Sequence, residues 1–133
     1  VSEQKFDLII LDAFSSDSVP VHLLTVEALT TYTEKLAPYG ILAVHTSNRH
    51  FDLGVMVLHA GARAELMCAI REDQMKESDA RRGRTQSTWL ALSQSKEPLK
   101  ALIKRPEWFT AFLNPKQSVW TDSYSSLFDV PWK

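Results

Sequence analysis

An α/β fold built on a mixed sheet is what the sequence predicts, and three observations predict it. The run Phe6-Asp-Leu-Ile-Ile-Leu11 holds four consecutive large apolar residues, the mark of a strand buried on both faces as in a parallel sheet. Apolar runs of that kind then alternate with stretches of helical periodicity. Finally, the polar stretch 71–87 separates two short apolar runs close enough in sequence to pair antiparallel. The order β, α, β, α, β, loop, β implies parallel crossovers closed by an antiparallel edge pair.

Each element has its own signal. After the first strand, residues 13–21 are rich in Ser, Asp and Pro and read as a loop. Thr25 is placed to cap a helix, Glu27 lies in its first turn, and Val26, Leu29, Tyr32 and Leu36 recur at helical spacing. Lys35 suits the last turn, and Pro38 and Gly40 are expected to stop that helix. Residues 41–44 are the next buried strand, and 45–49 the polar loop at its end. Asp52 can cap a second helix carrying Leu53, Met56, Val57 and Ala60, with Gly61 just beyond it. A strand over 64–70, an exposed loop over 71–87, a strand over 88–92 and a short helix over 98–104 complete the pattern. The tail is aromatic, with Trp108, Phe109, Phe112, Trp120, Tyr124, Phe128 and Trp132, and is expected to be core.

Composition narrows the function classes. With 133 residues the chain suits one domain, 1–133, large enough to bury a core. A net charge of −1 gives no global attraction to nucleic acid or anionic lipid, and the aromatic tail lacks the basic stripe of a base-stacking platform. The single cysteine, Cys68, excludes a disulfide framework and reads as core. No apolar run approaches the roughly 18 residues of a membrane span, and no basic-then-apolar leader opens the chain, so a cytoplasmic location is expected. His45, His50 and His59 share no evident metal-ligand spacing, and Arg81, Arg82 and Arg84 read as a solvated loop.

Ligands in such sheets bind beyond the carboxyl ends of the strands, here 12–17 and 45–49. Asp12 directly follows an apolar strand, so its carboxylate is held rigidly where it can accept a proton or hold an amine. Asp17, in a loop with Ser15, Ser16 and Ser18, is either a second substrate carboxylate or an Asx-turn residue. Asn48 and Arg49 either touch substrate or cap their loop.

Phe6-Asp-Leu-Ile-Ile-Leu-Asp12, the acidic loop to Pro20, a helix, and then Leu36-Ala-Pro-Tyr-Gly-Ile-Leu-Ala-Val44 resemble the second half of a spermidine synthase-like domain. Trp120-Thr-Asp-Ser-Tyr124 is similar to that family's late Thr-Asp-Asp-aromatic segment. The wording Asp12-Ala-Phe-Ser-Ser-Asp17 and His45-Thr-Ser-Asn-Arg49 is most similar to the bacterial variety fused to, or derived from, a transporter-like protein. The resemblance implies a class I methyltransferase fold of strand order 3-2-1-4-5-7-6, of which this chain supplies a partial Rossmann-like sheet, strands 4-5-7-6 with the last pair antiparallel, flanked by helices. It implies aminopropyl transfer from decarboxylated S-adenosylmethionine to a polyamine. Asp12 is then the general base and amine anchor, Asp17, Asp122 and Tyr124 are substrate-binding, and Asp12 and Ala13 lie against the co-substrate. Acidic groups beside aromatic faces suit a flexible polyamine cation.

The sequence also departs from the family's pattern. Its loop acids are five apart where three is usual, Pro20 is followed by Val21 and His22 in place of Pro-x-Gly, and Ser123 replaces a second late acid. None of the four glycines forms a G-x-G turn, so the chain alone is expected not to bind the co-substrate tightly. The opening Val-Ser without Met fits a half-domain, whose parent is expected to carry the co-substrate site and, upstream, a transporter-like membrane attachment. The first strand then becomes an exposed apolar edge, and a homodimer through it is expected. Two alternatives stand beside aminopropyl transfer: a methyltransferase of the same fold using S-adenosylmethionine, and a non-catalytic assembly module.

Overall fold

Four apolar side chains in succession favour extended backbone, and Phe6–Leu11 forms the first strand, β1. The computed structural model describes residues 3–12, 19–48, 51–83, 86–114 and 116–131. After a 3-10 turn at Val21–Leu23 come helix α1 (Val26–Lys35), strand β2 (Leu36–His45) and helix α2 (Leu53–Arg63). Strand β3 (Met67–Glu72), the short helix α3 (Glu77–Ala80), strand β4 (Thr88–Ser93), helix α4 (Lys96–Ile103) and the two-residue strand β5 (Trp108–Phe109) follow. The sheet order is β1-β2-β4-β3-β5. β1 and β2 are parallel, whereas β2–β4, β3–β4 and β3–β5 are antiparallel. The chain is thus α/β with a five-stranded mixed sheet. The expected antiparallel neighbours are present, and β5 is an addition to them.

Side-chain alternation gives the sheet two faces. Leu42, Val44, Leu90, Leu92 and Ile70 pack with Leu29 of α1 and Met56 and Val57 of α2 in the main core. On the opposite face Ala69 and Ala91 meet Leu99 of α4, with Ile41, Leu102 and Trp108 against them.

Several expectations need correction. β1 is buried on one face only: Ile9 and Leu11 join the core, while Leu8 and Ile10 are 53% and 60% exposed. The reason is its place at the sheet edge, beyond the reach of α4. Pro38 and Gly40 do not stop a helix, for α1 ends at Lys35 and both lie inside β2. The β1–β2 register slips between Phe6↔Leu36 and Leu8↔Ile41, an irregularity of the kind that accommodates proline in a strand. Gly40 lets the chains close there, because a Cβ would lie 2.8 Å from the Phe6 carbonyl oxygen. Gly61 lies inside α2, against Leu92, and Glu65 at φ 61° takes the left-handed position after the helix. The strand expected over 64–70 accordingly starts later, at Met67. The stretch 71–87 holds the end of β3 and α3, not only loop. In the tail Trp120 is fully buried, but Phe112 and Phe128 are 99% and 92% exposed, so most of that segment is not core. Trp132 lies outside the described residues.

The tail nevertheless fixes the helix starts. The Val26 amide donates to the Trp120 carbonyl and the Asp52 amide to that of Pro131, both at 2.9 Å. Asp52 thus heads α2 without a side-chain cap bond, its own amide held by the tail. Among the described residues no helix is long and apolar enough to cross a membrane.

Candidate functional site

β1 and β2 run parallel with Leu11 opposite Val44, so the next residues, Asp12 and His45, emerge side by side. His45 Nδ1–H donates to Asp12 Oδ1 at 2.8 Å. That bond sets the tautomer and leaves Nε2 as the acceptor nitrogen. Trp89, opposite His45 across the antiparallel β2–β4 pair, stacks on the imidazole with ring centroids 4.7 Å apart and planes 19° from parallel. Arg71 of β3 pairs with Trp89 from the other side, and Trp108 of β5 with Arg71. By register Asp12, His45, Trp89, Arg71 and Trp108 therefore form one lateral row across the sheet.

Two buried side-chain nitrogens lack a hydrogen-bond partner among the described residues: Nε2 of His45 and Nε of Arg71. Both belong to this row, flanking Trp89. A buried polar atom without a partner costs on the order of 1–3 kcal/mol, so a ligand or water that supplied one would be held there. The Arg71 guanidinium also pairs through Nη2 with Asp73 Oδ1 at 3.0 Å. The Asp12–His45 pair has the chemistry of a proton acceptor: an imidazole held by a carboxylate, with its second nitrogen unpaired among the described residues.

The other sequence-derived positions do not join this pair. Asp122 Oδ1 accepts from the Thr25 hydroxyl at 2.7 Å, and the Asp122 amide donates to Glu27 Oε2 at 3.1 Å. Thr25 in turn caps α1 by accepting from the Ala28 amide. In this structure Asp122 anchors the tail to the start of α1. The Tyr124 hydroxyl donates to Asp129 Oδ2 at 2.8 Å, and that hydrogen bond, with the charge of Asp129, raises the phenol above its ordinary value. Asp17 and Ala13 lie outside the described residues, as do Arg49, His50 and Arg84. Asn48 is buried and its Oδ1 accepts from the Phe51 amide, which is the loop-capping alternative. His59 is also buried, bonded to the Val55 carbonyl and the Asn114 amide. Arg81 and Arg82 are exposed. Cys68 is partly buried against the core, and burial pushes its thiol up to about 12. Among the described residues no three His, Cys, Asp or Glu side chains are placed to hold a metal.

The pairing of His45 with Asp12 escaped the sequence reading, although a signal existed. His45 follows the apolar run of one strand as Asp12 follows that of another, and adjacent parallel strands bring such residues together. Trp89 had no comparable signal, since its strand arrives antiparallel from a distant part of the chain.

The glycines do not fit a nucleoside cradle: Gly40 is in β2, Gly54 and Gly61 are in α2, and Gly83 follows α3. None makes the glycine turn at a strand end that holds such a group in this kind of sheet. No family model matches the chain, and no curated relative matches it.

Proposed function

We propose that this chain forms the acceptor side of a spermidine synthase-like transferase of the class I methyltransferase fold, with Asp12 and His45 as its proton-accepting pair. The observation that carries the reading is the 2.8 Å Asp12–His45 bond at the carboxyl ends of neighbouring parallel strands, with Nε2 of His45 buried and without a partner among the described residues. The sheet supports it as well. Its first four strands lie in the order first, second, fourth, third, which is the neighbour order the resemblance implies for strands 4-5-7-6.

An aliphatic amine is protonated at neutral pH and must lose a proton before it can attack carbon. Nε2 of His45 takes that proton, and the Asp12 carboxylate stabilises the imidazolium that forms. The resemblance adds Asp17, Asp122 and Tyr124 as contacts for the remaining nitrogens of a polyamine or other small amine, but Thr25 holds Asp122 and Asp129 holds Tyr124, so the reading rests on the Asp12–His45 pair. Because no glycine cradle is present, the reading is confined to the acceptor, and no step is assigned to the S-adenosylmethionine-derived co-substrate.

The test is turnover in the polypeptide that carries this chain. Methylthioadenosine release is followed with decarboxylated S-adenosylmethionine and putrescine, and methyl transfer with S-adenosylmethionine. Asp12→Asn and His45→Gln should each lower turnover about 10²–10⁴-fold with the circular dichroism spectrum unchanged. Unaltered turnover in both variants would sink the proposal. Methyl transfer alone, equally sensitive to them, would select the methyltransferase alternative.

A second reading, an assembly module, is favoured by the apolar strip Phe6, Leu8 and Ile10 on the open face of β1. There the homodimer forms through the β1 edge, and neither Asp12 nor His45 is needed.

A further inference from the structure

A cavity lies at the end of the sheet away from His45. Met67, where the chain enters β3, pairs with Ser93, whereas the His45 row crosses β3 four residues later at Arg71. Leu58 and Ala62 of α2, Leu66 and Met67, and Leu99 and Ile103 of α4 line a half-open space of about 370 Å³. Small-ligand sites run from about 300 to 1,000 Å³, so the space suits one small molecule. Its walls are apolar and favour an apolar occupant, since a polar group buried there would go unsatisfied.

Charge adds the second constraint. Lys96 and Lys100, one turn apart on α4, also line the cavity. Lys100 Nζ pairs with Glu97 Oε1 at 2.9 Å, and Lys96 has no hydrogen-bond or ion-pair partner among the described residues. Both cations come from one wall, the helix α4, so the arrangement complements a ligand that is apolar along its length and anionic at one end. We propose that this cavity binds a single-chain anionic amphiphile, a medium-chain carboxylate, with its chain between α2 and α4 and its headgroup at Lys96 and Lys100. Neither Asp12 nor His45 takes part, so this site stands or falls separately from the transferase reading.

Calorimetric titration of the chain with octanoate, decanoate and decanol tests it. Each added methylene should tighten binding about fourfold, so decanoate should bind about 15-fold tighter than octanoate. Changing Lys96 and Lys100 together to Gln should weaken decanoate about tenfold and leave decanol unchanged. Ala62→Trp fills the cavity and should abolish binding of both. Ile103→Trp, at the exposed rim, serves as the filling variant if Ala62→Trp does not fold. Affinity independent of chain length, or undiminished by a folded filling variant, overturns the proposal. So does a dimer that Ile103→Glu dissociates while decanoate fails to bind, because that result assigns the surface to a second copy of the chain.

Discussion

At the residue scale the sheet places side chains with different tasks at similar-looking positions. Asp12 and Asp122 are both acids after an apolar segment, yet Asp12 meets an imidazole and Asp122 meets the hydroxyl that caps α1. The place of Asp12 was legible because a residue directly after an apolar strand lies at the carboxyl end of the sheet. Its partner was not, because a hydrogen bond between residues 33 apart depends on strand register. Tyr124 offers a direct check on the tail. Its bond to Asp129 favours the neutral phenol, so the folded-state value exceeds the ordinary one near 10. The sign follows: the stabilisation is complete below the unfolded value and is lost as pH rises through the higher folded value. Ultraviolet difference titration should find a Tyr124 midpoint above 10, and Asp129→Asn should return it toward 10. A midpoint indifferent to that substitution would show the contact absent in solution.

At the element scale β1 is the informative strand. Its apolar run specified a strand but could not say whether both faces would be covered, since that depends on which helices lie over it. Only the face toward α1 and α2 is covered, and the far edge of β1 has no strand neighbour among the described residues. An unpaired edge beside an apolar face is a template for association. Changing Leu8 and Ile10 together to Lys should leave thermal stability nearly unaltered, because both side chains are already exposed. If β1 joins two copies, the same variant should sediment as a monomer while the parent chain does not. A parent chain that is monomeric throughout the micromolar range removes the assembly reading. In β2, Pro38 and Gly40 looked like punctuation. They sit inside a strand because the register slip beside β1 makes room for the proline and needs a residue without Cβ near the Phe6 carbonyl.

At the scale of the whole molecule the tail closes the structure. Trp120 joins the main core, its indole N–H donates to the Ser126 carbonyl, and its own carbonyl receives the Val26 amide. Asn114 reaches His59 of α2, and Gln117 bonds the Asp129 carbonyl. Trp120→Ala should therefore destabilise the fold by about 3–5 kcal/mol in denaturant titration. It should also free the starts of α1 and α2, read as faster amide exchange at Val26 and Asp52. A loss below about 1 kcal/mol would show the tail to be peripheral to stability.

By itself the sequence determined the α/β class, the succession of the main strands and helices, the Thr25 cap and the position of Asp12, all of which follow from periodicity and residue chemistry over short distances. Only the tertiary structure decided that β1 keeps one face open, that Trp120 is fully buried while Phe112 and Phe128 are exposed, and that His45 stands between Asp12 and Trp89. Those outcomes depend on which segments meet across long sequence separations. Register and packing set such meetings, and local pattern does not encode them.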